Sequence, residues 1–73
     1  MTSLKDLLVS RVRVKLLSIF FNDLEEIFYV RQLVRKTGEE INAVRRELSH
    51  LEKIGLLGKE ARANRLYYGL KKP

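Results

Sequence analysis

A chain of 73 residues with 45% apolar and 33% charged side chains, one proline and four glycines describes one small globular domain and excludes a low-complexity or repeat protein. No cysteine is present, so disulfides, thiolate metal sites and a cysteine nucleophile are excluded together. The net charge of +6 is segregated: residues 1–30 carry four basic and four acidic side chains, residues 31–73 eleven and five.

A cationic excess confined to one part of a chain marks a surface for a polyanion, and a solubilising surface is the plain alternative. The apolar run Leu16-Leu17-Ser18-Ile19-Phe20-Phe21 is far shorter than the roughly 20 residues that span a bilayer. The first 17 residues are interrupted by Lys5, Asp6, Arg11, Arg13 and Lys15 and lack the apolar core of a signal peptide. A cytoplasmic protein without membrane contact is expected.

In chain order, Ser3 can cap a short helix over Leu4–Val9, with Asp6 in the capping-box position. Ser10 can cap a second start, or the two helices can run together. From Arg11, the apolar residues Val12, Leu16, Ile19 and Phe20 predict an amphipathic helix to about Phe21. Asn22–Glu26 reads as a polar connection, and Ile27-Phe28-Tyr29-Val30 as a short strand or extended entry. Arg31–Lys36 forms a short helix that Thr37-Gly38 ends.

A further helix runs from about Glu40 to Ile54, with Gly55 as its stop. The period then changes. Leu56–Ala61 and Arg65–Leu70 are strand-like and flank the turn Arg62-Ala63-Asn64, in which Asn64 can take a left-handed conformation. The predicted fold class is α+β, mainly α with a small β-hairpin.

Two helices joined by a tight glycine turn form a helix-turn-helix candidate, with Thr37-Gly38-Glu39 as the turn. The second helix should bury Ile41, Val44, Leu48 and Leu51. At about 100° per residue, the opposite side carries Asn42, Arg46, Ser49, His50 and Lys53, with Arg45 at the edge of the stripe. Arginine can pair with guanine and asparagine with adenine, while the small Ala43 permits close approach in a groove. The alternative is an ordinary solvated helix face. The hairpin tip Arg62-Ala63-Asn64-Arg65 adds a short basic turn that can lie along phosphates or enter a minor groove.

The chain resembles the winged helix-turn-helix domains of the ArsR-like class of transcription regulators over about residues 8–70. The resemblance is carried by Ser10–Leu17, Phe28–Leu33, Val44–Leu48, Leu51–Leu57 and Asn64–Leu70. It implies three core helices, an N-terminal helical extension over residues 1–9 and a C-terminal two-stranded wing. It also implies sequence-specific binding of double-stranded DNA, with the helix at about 40–54 in the major groove and the wing at 57–70 on the backbone or minor groove. A homodimer is expected, with the Leu4, Leu7, Leu8 and Val9 cluster as one possible contact. Metal-sensing members use cysteine thiolates, so no metal and no cofactor is expected here.

On this reading Asn42, Ala43, Arg46 and Ser49 are the base-reading candidates. Arg45, Lys53, Arg62 and Arg65, with Arg31 and Lys36, are the phosphate contacts, and Asn64 completes the tip. His50, the one histidine, is read as a surface residue, and Tyr29, Tyr67 and Tyr68 as packing. Glu25-Glu26 and Glu39-Glu40 have no nucleophile, phosphate loop or metal motif beside them, so no enzyme is expected. The rival readings are a protein-interaction module of the same shape and an RNA-binding module.

Overall fold

Val12, Leu16 and Phe20 recur every four residues, and this row seals one side of a long first helix against the rest of the chain. The structure is a computed structural model that describes residues 4–72, with side chains described for 11–72. Its elements are α1 (Leu4–Asn22), β1 (Phe28–Tyr29), α2 (Val30–Thr37), α3 (Ile41–Lys53), β2 (Leu57–Arg62) and β3 (Arg65–Leu70). The result is an α+β domain of three helices and one three-stranded antiparallel sheet in the order β1-β3-β2.

One of two options is settled and one expectation is extended. The helical extension and the first core helix are one continuous α1, the run-together option, since no glycine or proline interrupts residues 4–22. The hairpin is also not two-stranded on its own. β1 adds a third strand through Phe28↔Tyr68 and Tyr29↔Tyr67, pairing that few sequence signals announce because β1 is only two residues long. The caps at Ser3 and Asp6, the start at Ser10 and the contact at Leu4, Leu7, Leu8 and Val9 concern side chains outside the described residues.

The core takes Val12, Leu16 and Phe20 from α1, Phe28 from β1, Leu33 from α2, and Val44, Leu48 and Leu51 from α3; Leu57 and Tyr68 close it from the hairpin. The Phe20 and Phe28 rings meet edge to face at 5.5 Å, which suits the aromatic quadrupole. Truncating a sealed leucine such as Leu33 or Leu48 costs about 2–5 kcal/mol. That is a large share of the stability available to so short a chain.

On α3 the expected stripe is altered at two places. Ile41, the first helical residue, is only half-buried, and Glu47 lies inside beside Val44, Leu48 and Leu51. A buried carboxylate needs a partner, and Arg13 supplies one, Nε to Oε1 at 2.5 Å. Every buried side-chain nitrogen or oxygen among the described residues has a hydrogen-bond partner.

The turn from α2 to α3 is built from side chains as well as backbone. Gly38 has a left-handed φ of 68° and its N–H donates to the Val34 carbonyl at 2.9 Å, closing α2. Thr37 Oγ1 donates to the Leu33 carbonyl at 2.7 Å and accepts from the Glu39 N–H at 3.2 Å. The Glu40 carboxylate caps α3 by accepting from the Ala43 N–H at 3.1 Å.

Glu39 fastens this turn to α1. Its carboxylate accepts from Arg11 Nε and Nη2, both at 2.9 Å, and from Lys15 Nζ at 2.6 Å. Lys15 also donates to the Thr37 carbonyl at 2.9 Å. The hydrogen bonds from Arg11 and Lys15 hold the Glu39 carboxyl below its ordinary value of 4.5.

At the hairpin tip Ala63 (φ 46°) and Asn64 (φ 66°) both lie in the left-handed region, the geometry of a tight two-residue turn with Arg62 opposite Arg65. Asn64 behaves as expected. Ala63 does so against its preference, at a cost of about 1–2 kcal/mol.

A paired substitution tests these backbone positions. Nothing lies within 4 Å of a Cβ built on Gly38, so its left-handed φ alone sets the cost of a side chain there. Gly38→Ala should lower, and Ala63→Gly raise, the unfolding free energy by about 1 kcal/mol each, read from urea midpoints. The clamp gives a pH signature. Because folding depresses the Glu39 pKa, its contribution is complete above the ordinary value of 4.5 and is lost as pH falls through the folded value. Glu39→Gln should therefore be less stable than the parent at neutral pH, with the difference shrinking in acid melts.

Candidate nucleic-acid interface

The outward side of α3 is polar and exposed as its spacing predicts. Asn42, Arg45, Arg46, Ser49, His50 and Lys53 all face solvent. At about 100° per residue, Asn42, Arg46 and Lys53 share the crest opposite the buried row, while Arg45 and Ser49 lie on one flank. Arg46 folds back along the helix, its Nε 3.4 Å from the Asn42 carbonyl. Ala43 is placed differently from the others. It is half-buried, packs against the core and presents no side chain on the crest.

The hairpin carries one of its cations, Arg65, toward the same flank. Antiparallel pairing sets Tyr29 opposite Tyr67, and the two rings meet edge to face at 5.8 Å. Arg65, two residues from Tyr67 on the same strand face, stacks its guanidinium over the Tyr29 ring, 4.3 Å from the centroid. From α2, Arg35 Nη2 donates to the Tyr29 hydroxyl at 2.9 Å. Two arginines thus use one tyrosine as a common support. The Arg35 hydrogen bond, then the Coulomb fields of Arg35 and Arg65, hold the Tyr29 phenol below its ordinary 10.0.

These elements enclose an open cleft of about 570 Å³. Its walls are Tyr29, Val30 and Arg31 at the start of α2, Arg45 and Ser49 from α3, and Asn64, Arg65, Leu66 and Tyr68 from the hairpin. Three arginines line it and no carboxylate does. Arg31, Arg45, Ser49, Asn64 and Arg65, chosen from the sequence, are therefore brought together. Asn42, Arg46 and Lys53 stand on the neighbouring crest, and Arg62, paired across the turn with Arg65, does not line the cleft; its Nε pairs with Glu60 at 2.7 Å.

The ion pairs explain why the positive field concentrates here. On α1, Arg11 and Lys15 answer Glu39, and Arg13 answers Glu47. Lys59 meets Glu52 at 3.1 Å and Lys72 meets Glu25 at 2.7 Å. Among the described residues, Arg31, Arg45, Arg46, Lys53 and Arg65 take no part in an ion pair with a carboxylate. Lys36 lies 5.7 Å from the Phe28 ring centre at the α2 end.

Sequence reasoning missed Tyr29, Arg35 and Leu66. Tyr29 was assigned to packing, yet its ring orders Arg65 at the cleft wall. The alternation in β1 held a signal, since Phe28 faces inward and Tyr29 must then face out. Leu66, 41% exposed, adds an apolar wall beside the arginines.

No family model, curated protein or solved structure matches this chain, so the site is interpreted from its own residues. Among the described residues no helix is long and apolar enough to cross a membrane.

The Tyr29 support is open to direct measurement. In an alkaline absorbance titration, the difference between the parent and Tyr29→Phe should report a phenol ionising below 10.0. A difference midpoint at or above that value would contradict the arginine contacts.

Proposed function

We propose that the chain is a winged helix-turn-helix domain that binds double-stranded DNA as a transcription regulator, with α3 in the major groove and β2–β3 as the wing. One observation carries this reading: the cationic flank of α3 and the hairpin tip converge on a single cleft free of carboxylates. A major groove about 12 Å wide admits a helix. A polyanion seated against α3 would meet Arg31, Arg45 and Arg65 together, and each phosphate neutralised releases counterions.

The roles follow from position. Arg31, Lys36, Arg45, Lys53, Arg62 and Arg65 contact phosphate, with Arg62 the weakest because it already pairs with Glu60. Asn42, Arg46 and Ser49 read base edges from the crest and flank, and Asn64 shapes the tip. Ala43 leaves the reading set because it packs inward.

Fluorescence anisotropy with random duplex DNA over a salt series tests the proposal. Binding should weaken linearly on a log–log plot, and Arg45→Ala and Arg65→Ala should each reduce the slope by about one unit. On a duplex selected from a random pool, Arg46→Ala should cost roughly 1–3 kcal/mol while sparing random duplex. Absence of salt-sensitive duplex binding refutes the proposal. So does a preference for single-stranded or looped RNA.

A further inference from the structure

The cleft between α3 and the hairpin is larger and less polar than a seat for one phosphate needs to be. Its volume of about 570 Å³ falls within the size range of small-molecule sites. Arg31, Arg45 and Arg65 line it from three different elements, and no carboxylate among the described residues does. Beside them stand Val30 and Leu66, the latter 41% exposed, an apolar wall that an inorganic anion leaves uncovered. Ser49 adds a hydroxyl to the polar side. A few convergent polar groups set against an apolar wall are the make-up of a small-ligand pocket.

We infer that this cleft also binds a small organic phosphate, a monoester whose dianion meets the three arginines while its ring or hydrocarbon part covers Val30 and Leu66. Charge and shape select that class. A phosphate monoester carries nearly two negative charges at neutral pH and three acceptor oxygens on one group. Each phosphate of a duplex backbone carries one charge, and the charges are spread along the strand. The planar guanidinium fork matches phosphate oxygens, so arginines arriving from several directions suit the monoester better than a row of diesters. Arg65 is already seated over Tyr29, 4.3 Å from the ring centre, and has less rotamer freedom to lose when an anion arrives. The cations of α1, by contrast, already face Glu39 and Glu47.

The consequence is regulatory, and this step rests on the proposed binding of DNA. Arg31, Arg45 and Arg65 cannot serve a duplex and a bound monoester at once. Occupancy of the cleft therefore releases DNA, and by linkage a bound duplex weakens the ligand by the same factor.

Phenyl phosphate is the probe, because it joins a dianion to a flat apolar ring. It is titrated into the full chain without nucleic acid at fixed ionic strength and followed by amide NMR shifts. It should saturate one site at the cleft and bind about tenfold more tightly than inorganic phosphate, the ring supplying the difference. Arg45→Gln and Arg65→Gln should each weaken both anions by about tenfold. Leu66→Gln should remove the advantage of the phenyl ring and leave inorganic phosphate unchanged. All three side chains are exposed, so the variants should keep a cooperative melt, and the comparison of the two anions on the parent chain needs no variant.

In the anisotropy assay, saturating phenyl phosphate should weaken duplex binding by about tenfold, and sodium sulfate at the same ionic strength should not. Equal affinity for the two phosphates, shifts scattered over the surface, or duplex affinity unchanged at saturation would overturn the inference. Saturable binding of phenyl phosphate by a chain that ignores duplex would uphold the ligand site and overturn the DNA reading alone.

Discussion

The two-residue pairing of β1 with β3 is the constraint on which the rest of the molecule depends. Phe28 opposite Tyr68 and Tyr29 opposite Tyr67 are all that join the hairpin to the helical part through the sheet. An isolated two-stranded hairpin is marginal in water, and a third strand with a core face changes that. Alternation then does the sorting. Phe28 and Tyr68 turn inward to the core, whereas Tyr29 and Tyr67 turn outward and stack. The close approach is visible at Gly69, where a Cβ would stand 2.8 Å from Ile27 Cγ2. A side chain at 69 would press on the segment that leads into β1.

A second constraint divides the charges. The cations of α1 lie beside the carboxylates that α3 and its turn direct inward, so Glu39 and Glu47 are neutralised where they are least hydrated. Those pairs position the start of α3 against α1. They also leave the arginines of α2, α3 and β3 without competing carboxylates in the cleft. The same side chains thus fasten the helices and fix where the unbalanced field lies, which links packing to the proposed binding of a polyanion.

The parts of this design that were legible in the sequence are those with a local cause. The rows Val12-Leu16-Phe20 and Val44-Leu48-Leu51, the glycine stop at Gly38 and the left-handed Asn64 each follow from spacing or from one residue's backbone preference. What escaped has a non-local cause. The strand at Phe28 was legible from its β-branched and aromatic neighbours, but its partner lies beyond α2, α3 and β2, so nothing near it announces the pairing. Glu47 is inside only because Arg13, on another helix, reaches it. The turn was expected at Arg62-Ala63-Asn64 with Asn64 left-handed, but Arg62 pairs with Arg65, and the two-residue turn that remains forces Ala63 left-handed as well. For the cleft, each arginine was visible from its spacing, but the support beneath Arg65 was not.

That support bears on how the proposed wing would bind. A free arginine loses rotamer freedom when it meets a phosphate, about 0.5–1.5 kcal/mol for an immobilised long side chain. Arg65 has already surrendered part of that freedom by stacking on Tyr29, 4.3 Å from the ring centre. The cost therefore falls on folding rather than on association. Tyr29 is itself held by Arg35 and Tyr67, so the ring is a fixed support, not a mobile one. The strained turn acts in the same direction. An alanine at 63 confines the tip more than a glycine would, and its left-handed φ is tolerated because six register pairs, Leu57↔Leu70 to Arg62↔Arg65, determine the hairpin from below. Stiffness at the tip and a seated Arg65 turn an otherwise flexible basic loop into a surface with a defined shape, which is what a groove of fixed width can select.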